Sequence, residues 1–143
     1  MARFLPVLIA FMAIAHASAS ALAQDKPGEL QAICAEAEAE AAKQGLLPSR
    51  VSKDGKGFTI LMYKYRFCPS TAKIARGTTV TWINIDKRTS HSVWLKDSGQ
   101  EESERLFNSD TLQKNFDRPG HYKYLCGPHW EKEGMVGGLE ITQ

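Results

Sequence analysis

The sequence predicts an all-β domain, a sandwich or barrel, preceded by one α-helix. Short runs dense in β-branched and aromatic residues recur from Arg50 onward. Gly, Pro, Asn and Asp turn signals separate these runs, as in antiparallel β architectures. Upstream lies one tract rich in Ala and Glu, residues 30–44, followed by Gly45. Good helix formers closed by a glycine read as a helix with its stop.

In chain order, the first 23 residues read as a secretory leader. Arg3 gives a positive start, residues 4–15 are almost wholly apolar, and Ala21-Leu22-Ala23 has the small-residue pattern of a cleavage site. Cleavage there starts the mature chain at Gln24 and leaves 120 of the 143 residues (143 − 23), enough for one domain with its own core. The expected compartment is a bacterial periplasm. No later segment is long and apolar enough to span a bilayer. Residues 24–29 read as a short disordered lead. Leu30 to Gln44 comes next as the helix, with Leu30, Ile33, Cys34, Ala37 and Ala41 on one apolar stripe. A lone helix of this length is marginal in water, so it must dock on the β domain. The expected division is leader 1–23, lead and helix 24–50, and β domain 51–143.

Within that domain, Phe58 to Phe67 is the first β-rich run, and Arg76-Gly77 introduces the second, Thr78 to Asn84. Ser92 to Leu95, His121 to Leu125 and Gly138 to Thr142 complete the set, with Pro119-Gly120 turning the chain into the fourth. Val80, Trp82, Ile83 and Ile85 are apolar, while Thr79 and Thr81 alternate to the other face. Trp82, Met62 and Trp94 are expected in the core.

Charge excludes little. The chain has 18 basic and 16 acidic residues, net +2, or +1 once Arg3 leaves with the leader. No basic stripe suited to nucleic acid is present. One acidic patch, Asp97 to Glu104, reads as a solvated loop or as a docking surface for a basic partner. Of the three cysteines, Cys126 sits in a ligand-rich segment, so Cys34 and Cys68 are expected to form a disulfide in an exported chain. The alternative is two buried free thiols.

The chemistry lies in Cys126-Gly127-Pro128-His129-Trp130-Glu131-Lys132-Glu133-Gly134-Met135, with Ser90-His91-Ser92 upstream. One thiolate, two imidazoles and one thioether form a donor set that favours copper and, in a rigid site, one-electron redox work. Cys126 and His129 are three apart, so a turn after a strand presents both to one ion. Gly134 lets the loop fold back toward Met135. His91 must come from another strand end. Glu131 or Glu133 is the alternative to Met135 in the axial place. Zinc Cys₂His₂ spacing is absent, and Cys126 has no oxyanion or substrate signature of a thiol protease. His121, mid-strand, is read as structural.

From about Lys56 to Thr142 the chain resembles the cupredoxins, the small blue-copper family, in its plastocyanin, pseudoazurin and amicyanin branch. The matching stretches are Ala75 to Asn84, Ser90-His91-Ser92-Val93, Phe116 to His129, and Gly134-Met135-Val136-Gly137. The resemblance implies a Greek-key β-sandwich with copper held by His91, Cys126, His129 and Met135. It implies a monomeric electron carrier rather than an enzyme, exchanging electrons near His129 with c-type cytochromes, quinoprotein dehydrogenases or copper reductases. Pro128, Trp130 and the residues near Gly134 are expected to form the apolar contact face. Met135 stands one residue later than in the usual loop, and the helix lies outside the usual fold. An altered-site enzyme with an axial carboxylate, nitrosocyanin-like, and a copper delivery or storage module are the alternatives. Pro128 has no N–H to give the Cys126 sulfur, so the Ser92 N–H is the expected donor. Asn84 is a candidate to tie neighbouring loops together.

Overall fold

In the computed structural model, which describes residues 25–26, 28–46 and 50–143, the first element is helix α1, Glu29–Lys43. The expected leader 1–23 and the start at Gln24 lie outside the described residues. Gly45 adopts φ +68°, a left-handed conformation that favours glycine. That turn lets the Leu46 N–H donate to the Ala41 carbonyl (3.0 Å) and the Gly45 N–H to that of Ala42 (3.1 Å), which satisfies carbonyls the helix end would otherwise orphan. The apolar stripe docks as expected: Ala37 and Ala41 are buried against Leu61, Cys68, Ile83 and Ile85. Cys34 is bonded to Cys68, with Cα atoms 5.2 Å apart.

Among the described residues, seven strands succeed the helix: β1 Gly57–Tyr63, β2 Arg66–Cys68, β3 Thr71–Ala75, β4 Thr78–Asn84, β5 Thr111–Phe116, β6 Gly120–Leu125 and β7 Val136–Thr142. One sheet has the order β2-β1-β4-β5 and the other β3-β7-β6. The β1–β4 and β3–β7 pairs are parallel and the rest antiparallel. Both sheets feed one core: Ile60, Met62, Val80, Trp82 and Phe116 from the first meet Ile74, Tyr124, Leu139 and Ile141 from the second. The β-sandwich expectation holds.

The helix explains a break in the alternation. Ile60, Leu61 and Met62 are consecutive and all buried. A strand covered on both faces loses its polar side; here the inner face meets the core and the outer face meets α1. Ile83 and Ile85 belong to the helix-facing set, Val80 and Trp82 to the inner one.

Three expectations need correcting. The run from Phe58 to Phe67 is a hairpin, because Lys64 and Tyr65 turn the chain with φ of 45° and 60°; two left-handed residues match the strand twist at a two-residue turn. Ser92 to Leu95 forms no strand: its segment holds only isolated bridges, His91 to Leu106 and Trp94 to Leu125. Trp94 is half-buried rather than core, because its indole N–H reaches out to the Gln100 carbonyl (2.9 Å) and Lys96 lies over its ring. Among the described residues, no helix is long and apolar enough to cross a membrane.

Candidate metal centre

Strand β6 delivers Cys126 fully buried into the core. The chain then turns through Gly127-Pro128 into helix α2, Trp130–Glu133, and leaves it at Gly134, φ +67°. This loop closes on itself. The Cys126 N–H donates to the Met135 carbonyl (3.1 Å), the Met135 N–H to that of His129 (3.2 Å), and the His129 N–H to that of Cys126 (3.0 Å). Met135 is buried beside Cys126 in the main core cluster.

His91 arrives from the segment after β4. Asn84, buried at the end of that strand, donates from Nδ2 to the carbonyls of Thr89 and Leu106, each at 2.8 Å. It also accepts the Asp86 N–H at 2.8 Å, so it ties the loops together as expected. The His91 N–H donates to the Leu106 carbonyl (3.0 Å), and the His91 carbonyl accepts the Leu106 N–H in return (2.8 Å).

The ligand atoms of His91, Cys126 and His129 lie within 4.8 Å of one another. Cys126 Sγ is 3.3 Å from His129 Nδ1 and 3.8 Å from His91 Nδ1. One ion bound at about 2.0–2.3 Å by each atom needs donors separated by such distances. His91 Nε2 is engaged by the Asp86 carboxylate at 2.7 Å, which leaves Nδ1 facing the cluster and fixes the ring. The residues therefore fit a copper ion. Neither Glu131 nor Glu133 joins this group of metal-competent side chains, so an axial carboxylate finds no support. Met135 is buried at the loop's return.

Burial pushes the Cys126 thiol above its ordinary pKa, an effect partly offset by the Ser92 N–H, which donates to the sulfur at 3.4 Å. That donor is the one the sequence pointed to. Burial holds His129 below the usual imidazole value, which keeps its lone pair free at neutral pH. His129 is half-buried, whereas His91 and Cys126 are fully buried. Trp130 is half-buried too, under Lys96, so it is not the open apolar surface expected of it.

Sequence reasoning missed Asp86, Tyr65, Arg66 and Glu102. Tyr65 sets its ring edge-to-face with His129, centroids 4.9 Å apart. Arg66 donates to the Glu133 carbonyl (2.7 Å) and pairs with Asp25, which binds the lead to the ligand loop. The Lys64 N–H donates to the same Asp86 oxygen that meets His91 (2.9 Å). A carboxylate five residues before a histidine was a visible signal; the hairpin turn that brings Tyr65 over the site was not.

Residues 58–142 match the family described as copper binding proteins, plastocyanin/azurin family. Amicyanin-alpha of Methylorubrum extorquens is 34% identical over 77 residues, 51% of this chain and 64% of that protein, so the chain spans just under two thirds of that relative's length. The purple cupredoxin of Nitrosopumilus maritimus superposes with a TM-score of 0.51 at 28% identity, covering 59% of this chain and 98% of that one. A copper-containing nitrite reductase from Thermus scotoductus SA-01 gives 0.52 at 28% identity, covering 59% of this chain but only 22% of the enzyme.

Proposed function

Because the chain belongs to the plastocyanin/azurin family of copper-binding proteins, we propose that it is a periplasmic one-electron carrier whose copper is held by His91, Cys126, His129 and Met135. The observation that carries this reading is the gathering of Cys126 Sγ and the Nδ1 atoms of both histidines, already fixed by Asp86, Asn84 and the loop's own backbone. Bound copper supplies the one-electron couple. The protein supplies donors that are fixed in advance and a wall that keeps water out. His91, Cys126 and Met135 lie behind that wall; His129, under the Tyr65 ring, is the donor residue that reaches the surface. A redox partner meets the site there, across Tyr65 and Pro128, both exposed, and a small contact suits brief encounters. Periplasmic c-type cytochromes, quinoprotein dehydrogenases or copper reductases are the proposed partner classes, and the chain works as a monomer. The periplasmic assignment rests on the sequence of residues 1–23, which reads as a secretory leader.

The deciding experiment is an absorption and electron-spin-resonance spectrum of the copper-loaded protein. Intense visible absorption from thiolate-to-copper charge transfer is expected, lost in Cys126→Ser and retained with a raised potential in Met135→Leu. Colour surviving in Cys126→Ser removes the thiolate from the site; Met135→Leu with unchanged spectrum and potential removes the thioether.

A further inference from the structure

The acidic segment 97–104 does not lie wholly in solvent. Glu102 turns inward, and its Oε1 accepts the hydroxyl proton of the buried Ser92 at 2.7 Å. Ser92 Oγ in turn accepts the Gly127 N–H at 2.9 Å. Gly127 directly follows Cys126, and a Cβ at Gly127 would collide with the Glu102 carboxylate. The carboxylate thus sits against the bare backbone of the ligand loop. Arg105, 3.9 Å away, is its cationic neighbour.

Ser92 Oγ is also 3.8 Å from Cys126 Sγ, close enough for a hydroxyl to donate to sulfur. A hydroxyl has one proton, and a carboxylate is the stronger acceptor at the shorter distance. The proton therefore goes to Glu102, and the hydroxyl leaves the sulfur to backbone donors, the Ser92 N–H first among them.

We propose that Glu102 is a positioning residue that sets the electron density on the Cys126 sulfur. It draws the Ser92 hydroxyl proton away from the sulfur and places a negative charge beside the ligand loop. Both effects favour the oxidised ion. This inference rests on the reading of Cys126 as a copper ligand.

The test compares copper-loaded wild type with Glu102→Gln, Glu102→Ala and the double variant Glu102→Ala/Ser92→Ala. Glu102→Ala frees the hydroxyl to turn toward sulfur. It is expected to shift the equilibrium toward Cu(I) by roughly tenfold, about 59 mV for a one-electron couple, and to move the charge-transfer band to higher energy. Adding Ser92→Ala restores the band position, because the hydroxyl is gone. Glu102→Gln keeps an acceptor for the hydroxyl and removes only the charge, so it raises the potential with little band movement; it also serves if Glu102→Ala fails to fold. In the metal-free protein, Glu102→Ala is expected to lower the exchange protection of the Gly127 amide, since its acceptor is no longer held. Unchanged potential and band in both Glu102 variants overturn the proposal while a strongly coloured wild type leaves the copper assignment standing. A wild type without the band overturns both.

Discussion

Asp86 is the residue on which the ring of His91 turns. Its carboxylate lies 2.7 Å from Nε2 and also accepts the Lys64 N–H, so the group that orients the imidazole is itself oriented by the hairpin. Asp86→Asn keeps the shape but not the charge, and about 10-fold weaker metal binding is expected, the mild end for a partner of a metal-ligating histidine. Competition against a chelator of known affinity measures it; unaltered affinity shows that the backbone alone holds His91. At this scale the sequence is informative about donor type and spacing. Cys126, His129 and Met135 lie in one loop, and Ser92 and Pro128 declare which amide faces the sulfur. Tyr65 and Glu102 were hidden because their placement depends on how two distant loops fold back, which local spacing does not encode.

Helix α1 is held by small side chains and one covalent bond. Ala37 and Ala41 let it lie close on Leu61 and Ile83, and Cys34–Cys68 pins it to the hairpin. Removing the bond by the double variant Cys34→Ser/Cys68→Ser is expected to cost about 3–4 kcal/mol, from the freedom returned to a loop of this length in the unfolded chain. Denaturant midpoints measure the loss, and the visible band of the copper form should not move, because neither cysteine belongs to the metal-competent cluster. The helix and its stop were legible in composition and in Gly45. The hairpin at Lys64–Tyr65 was not, because no glycine or asparagine marks the turn; β3 and β5 were missed because their exposed faces are charged or polar and dilute the strand pattern.

For the molecule as a whole, the metal-free protein carries a strain that titrates. The folded Cys126 thiol has a raised pKa, chiefly from burial. Below about pH 8.5, the usual thiol value, folded and unfolded chains both hold the proton and stability is unaffected. Above it the unfolded chain ionises first, binds fewer protons than the folded one, and is favoured. Metal-free wild type should therefore lose stability between about pH 8 and 10 faster than metal-free Cys126→Ala, by unfolding in urea at each pH; parallel curves would show that the folded thiol ionises freely. The sandwich was legible because turns and β-rich runs alternate along the whole domain. The pairing was not, since parallel neighbours such as β1 with β4 and β3 with β7 are far apart in sequence.

Strand β7 comes after all four candidate ligands in the chain and yet occupies the middle of its sheet, between β3 and β6. Until it arrives, β3 and β6 have no common neighbour and the wall behind Cys126 stands open. A polypeptide interrupted before Val136 thus carries all four candidate ligands but leaves β3 and β6 unbridged.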